Sequence, residues 1–318
     1  MQIKAFNVGM LSTNCYVVSC PETREAIIVD PGFEAPYEAE QVIRYVDAHA
    51  LKVKFIVNTH GHADHIGGLI TVLETFPVRE VIDPAVVHTT KTFEDYLTLI
   101  DQKNIKFTAG RAGNQDLGDG ITMTLLHPVE PSSAHLNDAS VVTKVEYNQV
   151  SFLFTGDAEA ASERDMLERG EQLRSTVLKV GHHGSRTSTT PAFLRAVSPA
   201  VAVIMAGAGN RYGHPHPETI SKLGAAGVDV YRTDLQGTIV VMSDGEGFEV
   251  RTEKKAEVKP KVETTEGLFV GSIRSDKYHF PHCRYAKTIK PENKTWFSSV
   301  AEAKAAGYVP CGACKPPK

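Results

Sequence analysis

Apolar residues open this chain in short runs at 3–8, 16–18 and 26–29, the last closing on Asp30-Pro31-Gly32. Runs of this length, rich in Val and Ile and bounded by turn residues, predict strands. Val42, Ile43 and Val46 then recur at helical spacing and predict a helix over 36–50, while the continuous apolar run 53–57 predicts a buried strand. Helical spacing returns over 87–102, 158–169, 190–197 and 217–226. Strand-like stretches fall at 121–126, 140–147, 150–155, 176–180, 200–205, 228–232, 237–242 and 247–251. Strands and helices alternate without a strict βαβ repeat, which predicts a layered α/β fold with mixed sheets.

The pattern breaks at 252–266, where charged residues alternate with Pro and Thr and no aromatic residue occurs. That composition predicts a linker, dividing a domain over 1–251 from a small one over 267–318. A module of that size rarely buries enough apolar surface to fold without a staple. Charge divides at the same place. Residues 251–318 carry 14 Lys+Arg against 7 Asp+Glu, and residues 1–250 carry 20 against 31. The large part is therefore a poor long-range attractor for nucleic acid and the tail a mild one. No run of 18 apolar residues predicts a membrane span, and the opening residues lack the apolar core of a signal peptide, which points to the cytoplasm.

Three of the five cysteines, Cys283, Cys311 and Cys314, lie in the tail, whereas Cys15 and Cys20 sit in a strand-like run as small core or edge residues. His279-x₃-Cys283 and Cys311-x₂-Cys314 are two ligand pairs at zinc-site spacing, so a structural Cys₃His zinc is expected to staple the tail.

The densest chemistry lies just past the 53–57 strand, in Thr59-His60-Gly61-His62-Ala63-Asp64-His65. Three histidines and an aspartate packed so closely would be expensive to bury without a cation. His60-x-His62-x-Asp64-His65-x-Gly67-Gly68 resembles the signature of the metallo-β-lactamase superfamily, and Phe154-Thr155-Gly156-Asp157 resembles the segment supplying that family's metal-bridging aspartate. The resemblance covers nearly all of 1–250. It implies an αββα four-layer sandwich with a two-metal site at one edge of its sheets. Carried over, one divalent ion takes His60, His62 and a group from 135–138, and the second takes Asp64, His65 and one histidine of the 182–183 pair. Asp157 bridges the two. His183 is favoured because it directly precedes Gly184-Ser185. Asn137 in place of the family's usual histidine would tilt the first ion from Zn²⁺ toward Mn²⁺. Two such ions imply a bridging hydroxide as nucleophile, oriented by Asp64, since one Zn²⁺ alone lowers bound-water pKa from about 15.7 to about 7.

Further motifs resemble the hydrolase domain of DNA-internalisation competence proteins. They are Asn137-Asp138-Ala139-Ser140, Lys179-Val180-Gly181-His182-His183-Gly184-Ser185 and Tyr212-Gly213-His214-Pro215-His216. By that resemblance Asn137, Asp138, Ser140, Ser185, His214 and His216 are expected near the substrate. The Ser185–Thr190 hydroxyls and Arg186 suit a phosphate, or else cap the helix starting near Pro191. The opening Ser12-Thr13-Asn14-Cys15-Tyr16 is instead similar to glyoxalase II-type thioesterases. Their Thr-Pro-Gly-His motif is lacking here, where the interval offers only His88, His127 and His135. The tail resembles the zinc-binding module of Ada-type DNA alkylation-repair proteins, through Cys283-Arg284, Lys290-Pro291-Glu292-Asn293 and Pro310-Cys311. In that family the first ligand is a methyl-accepting cysteine. His279 stands there in this chain, so repair activity is not expected. These resemblances imply a metal-dependent phosphodiesterase or nuclease with DNA as partner. The alternatives are a small-molecule thioesterase or lactonase, and a DNA-binding protein with a vestigial hydrolase domain.

Overall fold

The strands of the large part run in chain order as β1 (Gln2–Val8), β2 (Thr13–Ser19), β3 (Glu25–Val29), β4 (Lys52–Val57), β5 (Glu80–Asp83), β6 (Lys106–Ala109) and β7 (Gly113–Asp116). They continue as β8 (Ile121–His127), β9 (Val142–Tyr147), β10 (Val150–Phe154), β11 (Val177–Lys179), β12 (Val201–Ile204), β13 (Asp229–Arg232), β14 (Ile239–Ser243) and β15 (Phe248–Thr252). One sheet has the order β15-β14-β1-β2-β3-β4-β5-β6 and the other β13-β12-β11-β10-β9-β8-β7. This computed structural model describes residues 1–318 apart from 10–12, 117–120, 131–134, 257–267, 273, 291–292, 298 and 318. Most of the expected linker, and Ser12, Pro291 and Glu292 of the motifs above, lie outside the described residues. The chain divides into two compact units, Met1–Pro260 and Lys261–Lys318.

Both faces of the central strands are buried, which explains why those strands read as continuous apolar runs, whereas the edge strands β6, β13 and β15 are largely exposed or half-buried. On β1, β2 and β3, the side chains of Ile3, Ala5, Tyr16, Val18, Ile27 and Val29 face the second sheet, meeting Met123, Leu125, Phe152, Phe154, Val201 and Val203. The alternate residues Phe6, Cys15, Val17 and Ile28 point outward to helices Pro36–Ala48, Leu69–Thr75 and Lys91–Gln102, through Val42, Val46, Leu73, Phe93 and Tyr96. Beyond the second sheet, Met166, Phe193, Leu194, Ile220 and Leu223 from helices Ala160–Glu168, Pro191–Val197 and Pro217–Ala225 cover Leu153, Leu178 and Ile204. The result is helix, sheet, sheet, helix, the αββα arrangement. Each fully buried Leu, Ile or Phe contributes about 1.5–3 kcal/mol. Among the described residues no helix is long and apolar enough to cross a membrane.

The elements match the sequence pattern with three departures. The strand expected at 140–147 begins only at Val142, because Asn137–Ala139 form a 3₁₀ turn. The helix expected at 87–102 begins at Lys91. Strands β5, β6 and β7 and helix Leu69–Thr75 were not anticipated; the three strands, EVID, KFTA and GNQD, lack the apolar run that marks the equally short β12.

Parallel pairing decides where the chemistry sits. β3, β4 and β5 run parallel, as do β10, β11 and β12. Their carboxyl ends therefore emerge side by side, and loops at such ends of α/β sheets are where ligands bind.

In the small unit β16 (Phe269–Ser272), β17 (Lys277–His279), β18 (Lys294–Phe297) and β19 (Val309–Pro310) form a sheet ordered β18-β16-β17-β19. Its core is slight: Phe269, Tyr278, Phe297 and Ala303 on one side, and Val270, Cys283, Ala286 and Cys311 on the other.

Candidate metal centre

Four histidines surround one oxygen. The Nε2 atoms of His60, His65, His182 and His183 lie 4.0, 3.8, 3.8 and 3.4 Å from Oδ2 of Asp157. His60 and His65 leave β4, whose apolar run ends at Val57; Asp157 leaves β10 after Phe154; the histidine pair follows β11. Gly156 makes the turn into Asp157 with φ +52°, and a Cβ there would stand 2.8 Å from Cβ of Thr59 and 3.0 Å from Oγ of Ser140. Only glycine satisfies both the backbone angle and the close approach.

Each imidazole presents the correct nitrogen. His65 donates from Nδ1 to Asp30 at 2.9 Å, and His183 donates from Nδ1 to the Met205 carbonyl at 2.9 Å. Thr59 donates its hydroxyl to Asp30 at 2.7 Å, leaving a lone pair for Nδ1 of His60 at 3.1 Å. With Nδ1 engaged, each ring keeps an Nε2 lone pair for a ligand. Nε2 of His60, His65 and His183 is buried without any hydrogen-bond partner, as is Oδ1 of Asp157. One such orphan costs about 1–3 kcal/mol; a cluster of them at one point fits divalent cations. His60, His65 and Asp157 form one group of potential ligands, and Asp64, His65 and His183 form a second.

Electrostatics tell the same story. Burial pushes the Asp157 carboxyl upward, but His183 and His65 outweigh it and hold the group well below the usual carboxylate range. Burial, reinforced by His65, holds His60 well below the ordinary imidazole range. Burial also opposes charge on His65, yet Asp30 and Asp157 overcome it and raise the group to about 9, so without a cation this ring holds a second proton on Nε2 that a bound ion would displace. The site is thus arranged to carry negative charge on carboxylates facing a positive centre.

The expected site residues divide into those facing the cleft and those behind it. A cleft of about 300 Å³ is lined by His62, Asp64, Asn137, Asp157, His183 and His214, joined by His182, Ala206, Asn210 and Tyr212. His62 packs edge-on against His60 with ring centroids 4.8 Å apart. Four residues expected near the substrate are engaged by the chain itself. Ser140 is fully buried, and its Oγ accepts the Asp157 N–H at 3.1 Å, so it supports the aspartate instead of touching substrate. Asp138 accepts from the N–H groups of Glu159 and Ser162, each at 3.2 Å, capping the following helix. Ser185 is buried against Thr187, with the two hydroxyls 2.9 Å apart. His216 accepts from the Arg186 N–H at 3.1 Å and is not among the residues lining the cleft. Thr190, by contrast, caps the helix at Pro191 by accepting from the Phe193 N–H.

Asp30 was not anticipated as part of the site. It binds Thr59 through both the N–H (2.8 Å) and the hydroxyl, as well as His65. Its one trace in the sequence is the Asp-Pro-Gly closing β3. Gly32 in that loop passes so close to the His65 segment that a Cβ would lie 1.7 Å from the Asp64 carbonyl oxygen.

In the small unit His279, Cys283, Cys311 and Cys314 bring their ligand atoms within 4.8 Å of one another. His279 ends β17 and Cys311 follows β19, the two strands being paired in parallel.

Comparison with known proteins agrees with this geometry. Residues 8–208 match the model of the metallo-beta-lactamase superfamily. The chain belongs to the metallo-β-lactamase superfamily. Residues 254–317 match the metal binding domain of Ada. Among curated relatives, ComE operon protein 3 of Bacillus subtilis is 28% identical over 237 residues, 70% of this chain and 30% of that protein. Recombination protein 2 of Haemophilus influenzae is 31% identical over 202 residues, 63% of this chain and 24% of that protein. The chain thus spans less than a third of the length of these relatives. A solved metallo hydrolase from the archaeon Ignicoccus hospitalis shares the fold, with a TM-score of 0.53 and 19% identity over 77% of this chain and all of that one. Competence protein ComA of Neisseria gonorrhoeae is 38% identical over 122 residues, 38% of this chain and 18% of that protein.

Proposed function

We propose that the cleft hydrolyses phosphodiesters and that its substrate is DNA. The observation that carries the proposal is the convergence of buried Nε2 lone pairs and two carboxylates on an open cleft. Ions held by His60, His62, Asp64, His65, Asp157 and His183 would supply Lewis acidity and water acidified to near neutral pH. Imidazole and carboxylate donors suit Zn²⁺ and Mn²⁺ alike. Around them the chain's own groups hold geometry. Asp30, Thr59 and the Met205 carbonyl fix three rings, Ser140 fixes Asp157, and Asp64 stands at the rim to orient a nucleophilic water.

DNA is favoured over a small ester by the mouth of the cleft. Tyr212 is half exposed and stacks with His214, centroids 5.9 Å apart and planes 23° from parallel. The Arg211 guanidinium lies 5.0 Å from the tyrosine ring centre. An exposed aromatic with a cation beside it is the surface an unpaired base stacks on. The relatives point the same way, since Recombination protein 2 and Competence protein ComA are similar to this chain over parts of their length. In the tail, a zinc held by His279 and the three cysteines would supply the stability its small core lacks. Arg274, Lys277 and Lys290 line a cleft beside His279 that suits a DNA backbone.

The test is a substrate panel on the metal-loaded chain: labelled single- and double-stranded DNA, bis-p-nitrophenyl phosphate, a thioester and a lactone. Turnover of the phosphodiesters with either Mn²⁺ or Zn²⁺ is expected. Turnover of the thioester or lactone alone would replace this reading with that of a small-molecule hydrolase.

A further inference from the structure

The superfamily resemblance leaves the first ion short of a donor, expected from 135–138. That segment supplies no nitrogen to the site: His135 is exposed, Asp138 caps a helix, and Asn137 offers only an amide. We infer that His182 is the missing ligand, so that the two adjacent histidines serve different ions, His182 with His60 and His62, and His183 with Asp64 and His65.

Distance supports this directly. Two donors on one ion, each at about 2.1 Å, lie no more than about 4.2 Å apart. Nε2 of His182 is 3.8 Å from Asp157 Oδ2, within that limit like the 4.0 Å of His60, so His182 reaches the shared carboxylate; which ion it serves rests on the contrast with its neighbour. Of the 182–183 pair it is the His183 Nε2 that stands near Asp64, 3.9 Å from Oδ2, joining His65 Nε2 at 3.5 Å. The backbone explains how neighbours in sequence reach opposite sides. Both residues are left-handed, with φ of 46° and 54°, and their rings stand 6.1 Å apart at 68°. Non-glycine residues are strained in that conformation, and such strain clusters at functional sites.

His182 is also oriented like a ligand. Its Nδ1 donates to Oε1 of Glu159 at 2.8 Å, leaving Nε2 for the cleft. This is the carboxylate–imidazole pairing that Asp30 gives His65. Glu159 is itself held, accepting from Asn137 Nδ2 at 3.3 Å and from the Thr187 hydroxyl at 3.1 Å. Asn137, standing where the family has a histidine, thereby anchors the carboxylate that aims the replacement histidine.

Metal counting tests the inference without reference to substrate, so its failure is distinguishable from failure of the DNA reading. The full chain is titrated with Mn²⁺ and the free ion read by electron paramagnetic resonance; the tail thiolates disfavour Mn²⁺, so the count reports the cleft. Wild type is expected to bind two ions. His182→Ala should bind one, and the retained ion shows that the fold survives. Glu159→Gln should bind two, with one weakened about 10–100-fold. Should His182→Ala fail to fold, Glu159→Gln decides alone, and wild-type affinities in that variant would overturn the assignment. Two ions at wild-type affinity in His182→Ala, or a single ion in wild type, would overturn it equally.

Discussion

Asp157 is the residue on which the centre turns, because its Oδ2 is the atom the four imidazoles share. Asp157→Ala should lower phosphodiester turnover by several orders of magnitude and reduce metal bound by the large unit, as read by elemental analysis. Behind it, Asp30 ties Thr59 and His65 into one unit. Asp30→Asn should leave the fold intact and weaken metal binding about 10–100-fold, the range for removal of a partner hydrogen-bonded to a ligand; unchanged affinity would show that His65 needs no such support. Tyr212 should act on binding alone. Stacking of one base contributes about 1–3 kcal/mol, so Tyr212→Ala should raise KM for single-stranded DNA between about 5- and 150-fold. Turnover of bis-p-nitrophenyl phosphate should be unaffected, and an equal loss on both substrates would exclude a stacking role.

At the scale of elements, the parallel strands β3, β4, β10 and β11 deliver the site, and the turns after them define it. Gly156 is the most constrained of those turns. Gly156→Ala meets both a left-handed backbone and Thr59 at 2.8 Å. It should cost about 1–3 kcal/mol, visible as a lower Tm, and displace Asp157 so that metal content falls with it. A variant with wild-type Tm and metal would show that the turn has room to spare.

The sequence carried the parts of the site that are dense and local. His60 to His65 announced themselves because four ligands crowd six residues, and Gly156-Asp157 because it ends an apolar strand. Asp30 and Glu159 stayed hidden because their partners are distant in sequence; a lone acidic residue at a strand end reads like any turn. For Ser140 and Ser185 the sequence was silent on orientation: their motifs lie beside the site, but spacing does not reveal that both hydroxyls are buried against the chain's own groups. Strands β5 to β7 were missed because EVID, KFTA and GNQD carry no apolar run, unlike the equally short Val201–Ile204.

At the scale of the whole molecule, an acidic unit holding the hydrolytic cleft is joined to a basic unit with a slight core. The tail buries few large apolar side chains, whereas a structural zinc contributes about 10–16 kcal/mol in comparable peptides. Cys311→Ser combined with Cys314→Ser should therefore unfold the tail, seen as lost dispersion of its NMR resonances. The large unit should keep its metals and its activity on bis-p-nitrophenyl phosphate. Loss of small-substrate activity in step with the tail would show that the two units do not function separately.

The most direct measurement is scission of labelled single-stranded DNA by the full chain loaded with Mn²⁺ or Zn²⁺, beside Asp157→Ala prepared identically. Cleavage is predicted in the wild type, abolished by chelator, restored by the ion and absent from the variant. Cleavage that persists undiminished in Asp157→Ala, or intact DNA alongside Asp157-dependent turnover of a thioester or lactone, would contradict the account.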